Sequence, residues 1–477
     1  MRTMKYLLSA LILVSGQNLS QTKSDQIDAL MQKYFENGQF NGSVLVAQNG
    51  KAIFEKGYGY ANFEWKIPNT PDTKFRLGSV TKQFTAMLIM QQVQKGAISL
   101  DAPVIRYLPL YPRPQGEKVT IRHLLMHTSG IANYTDGITE QETREKLSTD
   151  QLVSKFADKP LAFEPGSKFS YCNSGYVLLG AILEAVTGKP YEDLIQENIF
   201  RPLGMKNSGY DHQETILEKR ASGYEMAASR INAPFVDMSN PYAAGALYST
   251  VEDLYIWDRA LYSDTLLSEP NRKVYFTPGL SNYAFGWVVG KERIGNSTDS
   301  VLMTYHTGRI YGFGVMIARM TDRQDLIVLL NNTGSNPLFA CAQTIEAILN
   351  DKPYDIPRKS VALTLGEMIS SGPIEKIRPE FLRLKGLTKE YELDDGEMYM
   401  LGRRLISADN FPAAIEVCIL SAESFPGSWR VYDSLGEAYV KNGQKDLAIR
   451  SYEKSIELNP DNANAVQELK KLKEAHR

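Results

Sequence analysis

The chain has 477 residues, of which 43% are hydrophobic and 23% charged, with 53 Lys and Arg against 55 Asp and Glu. That length exceeds the usual span of one hydrophobic core, so two units, or one large unit with an appendage, are expected. A formal net charge of -2 supplies no strong field of either sign, which argues against nucleic acid as a partner.

Arg2 and Lys5 precede the apolar run from Tyr6 to Val14, and small Ser15 and Gly16 follow. This is the order of a secretory signal peptide, so residues 1–20 are expected to direct export to the periplasm or medium, with cleavage after Gly16 or Ser20. The run is too short to span a bilayer, and no other stretch is long and apolar enough to do so. The absence of a cysteine after it argues against a lipid-anchored form. Cys172, Cys341 and Cys418 are far apart and odd in number, which reads as three small buried side chains rather than a disulfide framework.

Helical periodicity runs from Asp25 to Asn37, with Ser24 as the expected N-cap. Strands are expected at Gly42 to Ala47 and Ala52 to Tyr58, joined by the hairpin turn Asn49-Gly50. From Ser79 to Gln94, Val80, Phe84, Met87 and Leu88 form a helical stripe, and Gly96 stops it. Ser249 to Asp253 has the spacing of a capping box opening a helix from Leu254 to Leu261. Further strands are expected at Tyr283 to Gly290, Val301 to Tyr305, Phe313 to Met320 and Leu326 to Leu330, and then a helix from Leu338 to Leu349. Strands from both ends of the first 350 residues would form one antiparallel sheet, with a largely helical middle. The fold class is α+β. Beyond Pro353 the strand signals give way to helix. Leu401-Gly402, Ala414-Ile415 and Pro426 recur 34 positions later as Leu435-Gly436, Ala448-Ile449 and Pro460. That period resembles tetratricopeptide repeats, with Gln467 to Lys473 as a capping helix.

Ser79-Val80-Thr81-Lys82 places a hydroxyl and an amine three residues apart at the opening of a helix, on one face of it. A serine hydroxyl becomes nucleophilic when a base takes its proton, and a desolvated lysine serves as that base. Tyr171-Cys172-Asn173 lies on a loop leading into the apolar helix Tyr176 to Val186. Tyr171 would shuttle protons if a lysine cation lowered its pKa, and Asn173 would bond a substrate carbonyl. His306-Thr307-Gly308 closes the strand from Val301, where the missing side chain at Gly308 lets the Ser79 helix approach. His127 and Ser129 read as structural.

Three ordered motifs, Ser79-x-x-Lys82, Tyr171-x-Asn173 and His306-Thr307-Gly308, resemble the serine β-lactamase-like superfamily. The similarity is to class C β-lactamases, D-Ala-D-Ala carboxypeptidases and the related esterases and D-aminopeptidases. Phe75 to Gly78, Leu100-Asp101, Ile121 to Gly130 and Pro202 to Met205 resemble the same family, over roughly residues 25 to 350. The resemblance implies Ser79 as acylated nucleophile, and Lys82 and Tyr171 as coupled general base and acid. It also implies Asn173 as the residue orienting the substrate amide, and the N–H groups of Ser79 and Arg309 as oxyanion hole. No metal or cofactor is implied. Four segments follow: a signal peptide at 1–20, a serine hydrolase domain at 21–352, a linker with helices at 353–390 and a tetratricopeptide domain at 391–477. The substrate-binding set is Asn173, His306, Thr307, Gly308 and Arg309.

The departure from the family pattern is His306, where the β-lactamases and carboxypeptidases usually carry lysine. With an ordinary pKa an imidazole would be roughly a quarter protonated at pH 7, so carboxylate recognition weakens unless Arg309 substitutes. Histidine here resembles the esterases and D-aminopeptidases, so ester or amide hydrolysis is expected to exceed β-lactam hydrolysis. Two other readings stand beside it: a β-lactamase or carboxypeptidase acting on peptidoglycan-related substrates, and a non-catalytic cell-wall sensor whose repeats recruit a protein partner. Pocket depth would be set by the loops Tyr134 to Lys146 and Met226 to Ala243.

Overall fold

The central sheet has six antiparallel strands, β1 (Gly42–Gln48), β2 (Lys51–Tyr58), β3 (Val288–Arg293), β4 (Ser300–Ile310), β5 (Phe313–Met320) and β6 (Asp325–Asn331), in the order β3-β4-β5-β6-β1-β2. The computed structural model describes residues 21–226, 230–334 and 337–474. The segment 1–20, on which the expectation of export rests, lies outside the described residues. Val44 and Val46 face one side of the sheet, and Leu45 and Ala47 the other. β5 and β6 are buried along their whole length, because helices cover both faces. On one face lie α1 (Lys23–Glu36) and, after β6, a helix at Leu338–Leu349. On the other lie α2 (Thr81–Gln94), α3 (Asn173–Thr187) and α4 (Val251–Ala260). The helix at Leu338–Leu349 is α5.

Local chemistry sets the element ends. Asn49 and Gly50 both have positive φ, as the expected two-residue hairpin turn requires. α1 begins two residues earlier than Ser24 suggested, because Thr22 caps it and Asp25 returns the bond to the Thr22 N–H. Thr250 caps α4 through the Asp253 N–H, but the Asp253 carboxylate turns to the Asn207 N–H and the Ser208 hydroxyl, so only half of the expected box forms. β3 starts five residues after Tyr283, and β4 continues to Ile310. His306, Thr307, Gly308 and Arg309 are therefore strand residues. The middle of the chain is mostly helix and loop, with a small three-stranded sheet at Phe75–Arg76, Leu247–Ser249 and Gly209–Tyr210.

Residues from Val361 onward are almost entirely helical: α6 (Val361–Ser371), α7 (Ile377–Gly386), α8 (Asp395–Ser407), α9 (Phe411–Ser424), α10 (Trp429–Lys441), α11 (Lys445–Leu458) and α12 (Ala463–Glu474). Small residues let the repeat helices approach, since a Cβ on Gly402 would stand 2.8 Å from Cys418 Sγ and one on Gly436 2.8 Å from the Tyr452 ring. Leu365, Phe381 and Leu384 of α6 and α7 share one core with Leu401, Leu405 and Val417 of α8 and α9. All three cysteines are buried free thiols. Among the described residues no helix is long and apolar enough to cross a membrane.

Candidate active site

Ser79 sits in a turn of 3-10 helix, Gly78–Val80, that runs directly into α2. Gly78 has φ +51°, and a Cβ there would lie 2.7 Å from the Arg309 carbonyl oxygen. A Cβ on Gly308 would fall 1.9 Å from the Leu77 carbonyl oxygen. These two glycines let the Ser79 turn and the end of β4 meet backbone to backbone. N–H groups at an opening helical turn have no partner within the helix and favour negative charge.

Lys82, one turn on, is fully buried. Its Nζ stands 3.1 Å from Ser79 Oγ, 2.8 Å from Asn173 Oδ1 and 2.9 Å from the Ala244 carbonyl oxygen. Burial pulls this ammonium down to about 7, so near neutral pH much of it is free amine. A neutral amine can donate to Asn173 and Ala244 while its lone pair accepts the Ser79 proton. α2 is fixed for this by Thr85, which donates to the Ala243 carbonyl at 2.6 Å, and by Thr81 Oγ1, which accepts the Leu247 N–H at 3.2 Å.

Tyr171 is 37% exposed as a residue, but burial of its phenol pushes the pKa well up against the lowering pull of Ser79. The expected lowering by a lysine cation is therefore not found. Lys82 Nζ lies over the ring at 4.9 Å from its centroid, a contact with the π face. The phenol stays protonated and is suited to give a proton rather than to take one. Asn173 is the first residue of α3. Its Oδ1 faces Lys82, while Nδ2 donates to Thr135 Oγ1 at 3.1 Å and its N–H is accepted by Asn133 Oδ1 at 3.0 Å.

His127, read as structural, supports this loop. Its backbone has φ +56°, and its Nδ1 accepts the Cys172 N–H at 3.1 Å. Its ring packs 4.2 Å from that of Tyr171, centroid to centroid. Burial, helped by the charge of Lys82, keeps this imidazole well below its ordinary pKa. Ser129 Oγ accepts the Ile131 N–H instead of meeting His127.

His306 is 5% exposed. Its Nε2 is 3.0 Å from the Tyr283 hydroxyl and its Nδ1 2.6 Å from the Thr307 carbonyl oxygen. The carbonyl accepts, so Nδ1 carries the proton and Nε2 accepts from Tyr283. Burial first, and the nearby Lys82 second, hold its pKa down to about 3. The partial protonation expected from an ordinary imidazole does not occur, and neither ring nitrogen is left for a substrate. Thr307 is exposed, Gly308 serves the close approach, and exposed Arg309 reaches the cleft.

That cleft encloses about 480 Å³. Gly78, Ser79 and Asn173 form one side, and Arg309, Ile310 and Tyr311 another. Tyr134, Thr135, Ile138 and Thr143 come from one of the two loops expected to set its depth, and Val236, Asn240 and Pro241 from the other. Three contributors carried no local signal in the sequence: the Ala244 carbonyl, Tyr283 behind His306, and Glu225, which lines the cleft and accepts the Gly312 N–H at 2.9 Å.

A family model described as Beta-lactamase matches residues 27–349, and one described as Tetratricopeptide repeat matches residues 430–462. Among similar proteins is penicillin-binding protein 4* of Bacillus subtilis, 28% identical over 459 residues, which span 91% of this chain and all of that protein. Among solved structures, the D-amino acid amidase from Ochrobactrum anthropi is 25% identical with a TM-score of 0.62, covering 69% of this chain and 99% of its own. The octameric penicillin-binding protein homologue from Pyrococcus abyssi is 27% identical with a TM-score of 0.61, covering 72% and 81%.

Proposed function

The chain belongs to the β-lactamase family of serine hydrolases, and from that premise we propose an exported enzyme that cleaves an ester or amide bond through an acyl-enzyme on Ser79. The observation that carries this reading is the buried Lys82 amine, about 7 in pKa and 3.1 Å from Ser79 Oγ. Lys82 takes the Ser79 proton as the oxygen attacks the substrate carbonyl. The N–H groups of Ser79 and Arg309 receive the developing oxyanion. Tyr171, protonated and beside Ser79, passes a proton to the leaving group; water then attacks the acyl ester as it gives a proton to the Tyr171 phenolate, and the Lys82 ammonium returns its proton to Ser79 as that oxygen leaves. Asn173 Nδ2 orients the substrate carbonyl. His306 and Gly308 hold the edge of the site in place.

The preference is for esters and D-aminoacyl amides over β-lactams. The neutral, fully engaged His306 supports this, since no fixed cation stands at the position where a lysine would meet a substrate carboxylate. A similar D-amino acid amidase agrees with it. The carboxypeptidase or β-lactamase reading draws on Arg309, a cation at the cleft, and on the penicillin-binding relatives. The order of residues 1–20 supports export, and the helical repeats support recruitment of a protein partner.

Purified protein is expected to turn over a short-chain p-nitrophenyl ester faster than nitrocefin, and the reverse ranking selects the β-lactamase reading. A fluorophosphonate probe should label the wild type and not Ser79→Ala. Cell-wall ligand binding without labelling would establish the sensor.

A further inference from the structure

A second cavity of about 570 Å³ adjoins the cleft, and Tyr311 and Phe313 line both. Arg76 and Arg220 also line it, and they share one carboxylate. Arg76 Nε donates to Asp211 Oδ2 at 2.6 Å, and Arg220 Nη1 to Asp211 Oδ1 at 2.7 Å. Arg76 Nη2 reaches Gln213 Oε1 at 3.2 Å, and Arg220 Nη1 the His212 carbonyl at 3.3 Å. The Asp211 side chain has no exposure, whereas those of Arg76 and Arg220 keep 12% and 22%. The charge balance here is uneven. Glu214, also on the cavity wall, is matched by Lys146 at 2.9 Å, and Asp211 can neutralise only one of the two guanidiniums. One positive charge is left over, in a partly desolvated recess where it is screened less than on open surface. A guanidinium offers more N–H donors than these bonds use, in a fork that fits a carboxylate.

The geometry points to this cavity as an anion subsite that takes the carboxylate end of a substrate whose scissile bond lies at Ser79. The substrate class is then an ester or amide with an acid-terminated chain crossing the apolar wall of Tyr311 and Phe313. This rests on the hydrolase reading above. It also moves substrate charge recognition from the β4 position of His306 to the Asp211-held arginine pair. Asp211 is a positioning residue, because it orients both forks and leaves them cationic.

The test uses p-nitrophenyl esters of linear dicarboxylic acids against methyl-capped esters of equal length, and a matched pair with the acid on the alcohol side. The ratio of kcat/KM for acidic over neutral ester is the readout, so the neutral ester corrects for any loss of folding. We expect a ratio above one for the longer chains in one of the two series. It should fall about tenfold in Arg220→Gln, the worth of one charge-assisted hydrogen bond, fall less in Arg220→Lys, and be compressed by salt. A ratio that Arg220→Gln leaves unchanged while Arg309→Gln abolishes it would overturn the subsite, as would no preference in either series. The subsite also has a readout that needs no turnover. In the full-length Ser79→Ala protein, calorimetry with pimelate should show binding that Arg220→Gln weakens about tenfold. Absence of ester turnover in the wild type with that binding intact would discard the hydrolase reading and keep the subsite, and absence of the binding would discard the subsite.

Discussion

Lys82 and His306 are both buried bases, near enough for the charge of one to act on the other, yet their charge states part in a way that fixes the pH behaviour. As the proposed base Lys82 would act as a free amine, and burial brings it to about 7. The rate should therefore rise with pH through about 7 and level off above it, as kcat/KM for a neutral ester measured from pH 5 to 9 would record. Lys82→Met should lower that kcat/KM by about a thousandfold or more. His306, near 3, does not titrate in that range, so the midpoint should stay near 7 in His306→Gln whatever the absolute rate. A midpoint that moved with His306 would assign the base wrongly. The same histidine makes the fold acid-sensitive. Its folded pKa lies below the ordinary value of about 6.5, so as pH falls below 6.5 the unfolded chain takes up a proton that the folded chain refuses. Stability is then lost between about 6.5 and 3, at up to about 1.4 kcal/mol per pH unit. His127 acts in the same direction. Thermal melting should drop steeply below pH 6, and His306→Gln should flatten part of that slope.

At the scale of elements, the site depends on a strand end and a helix turn touching without side chains between them. In Gly308→Ala the new methyl would meet the Leu77 carbonyl at 1.9 Å, and backbone must move. We expect a loss of about 1–3 kcal/mol in stability. The fall in kcat should be larger than that loss explains, because the displaced segment carries the Ser79 and Arg309 N–H groups; urea melts and steady-state kinetics on one preparation separate the two. The sequence made this approach legible, as it did the Asn49-Gly50 turn, α5 and the 34-residue period, because each is written in a local spacing or a glycine. It left other features hidden for a physical reason. β4 runs on to Ile310 because β5 pairs with it through Phe313, a partner that periodicity does not see. Tyr171 keeps its proton because burial of its phenol outweighs the lowering pull of Ser79. The Tyr283–His306 bond spans two elements whose meeting only the fold decides. Ser24 lost the cap to Thr22 because Asp25 sits at the third helical position and can return the bond.

At the scale of the whole molecule, the helical appendage has its own core, but its charge is felt at the candidate site. α6 and α7 share that core with α8 and α9, so a chain ended after Glu390 would strand Leu365, Phe381 and Leu384 without Leu401 and Val417. A chain ended after Tyr354 removes both halves together. It should run as a monodisperse species on size exclusion where the chain ended after Glu390 aggregates. The link to the candidate site is the charge of Arg404 of α8. Its charge interacts with Glu225 on the cleft wall and with Glu397 of its own helix. Glu225 in turn accepts the Gly312 N–H at 2.9 Å, immediately after β4. The charge of Arg404 thus acts on the carboxylate that accepts from the turn beyond Arg309. Arg404→Met should lower kcat/KM for a neutral ester by about threefold, mostly in KM, with the far-UV helical signal and melting of the repeats unchanged. Glu225→Gln keeps an acceptor for Gly312 and should cost less than Glu225→Ala. Kinetics unaltered in Arg404→Met would mean that the repeats and the hydrolase site share a chain without sharing free energy. The threefold effect would give a partner docked on α8 a physical route to the acylation step, because any anion it presents to Arg404 competes with Glu225.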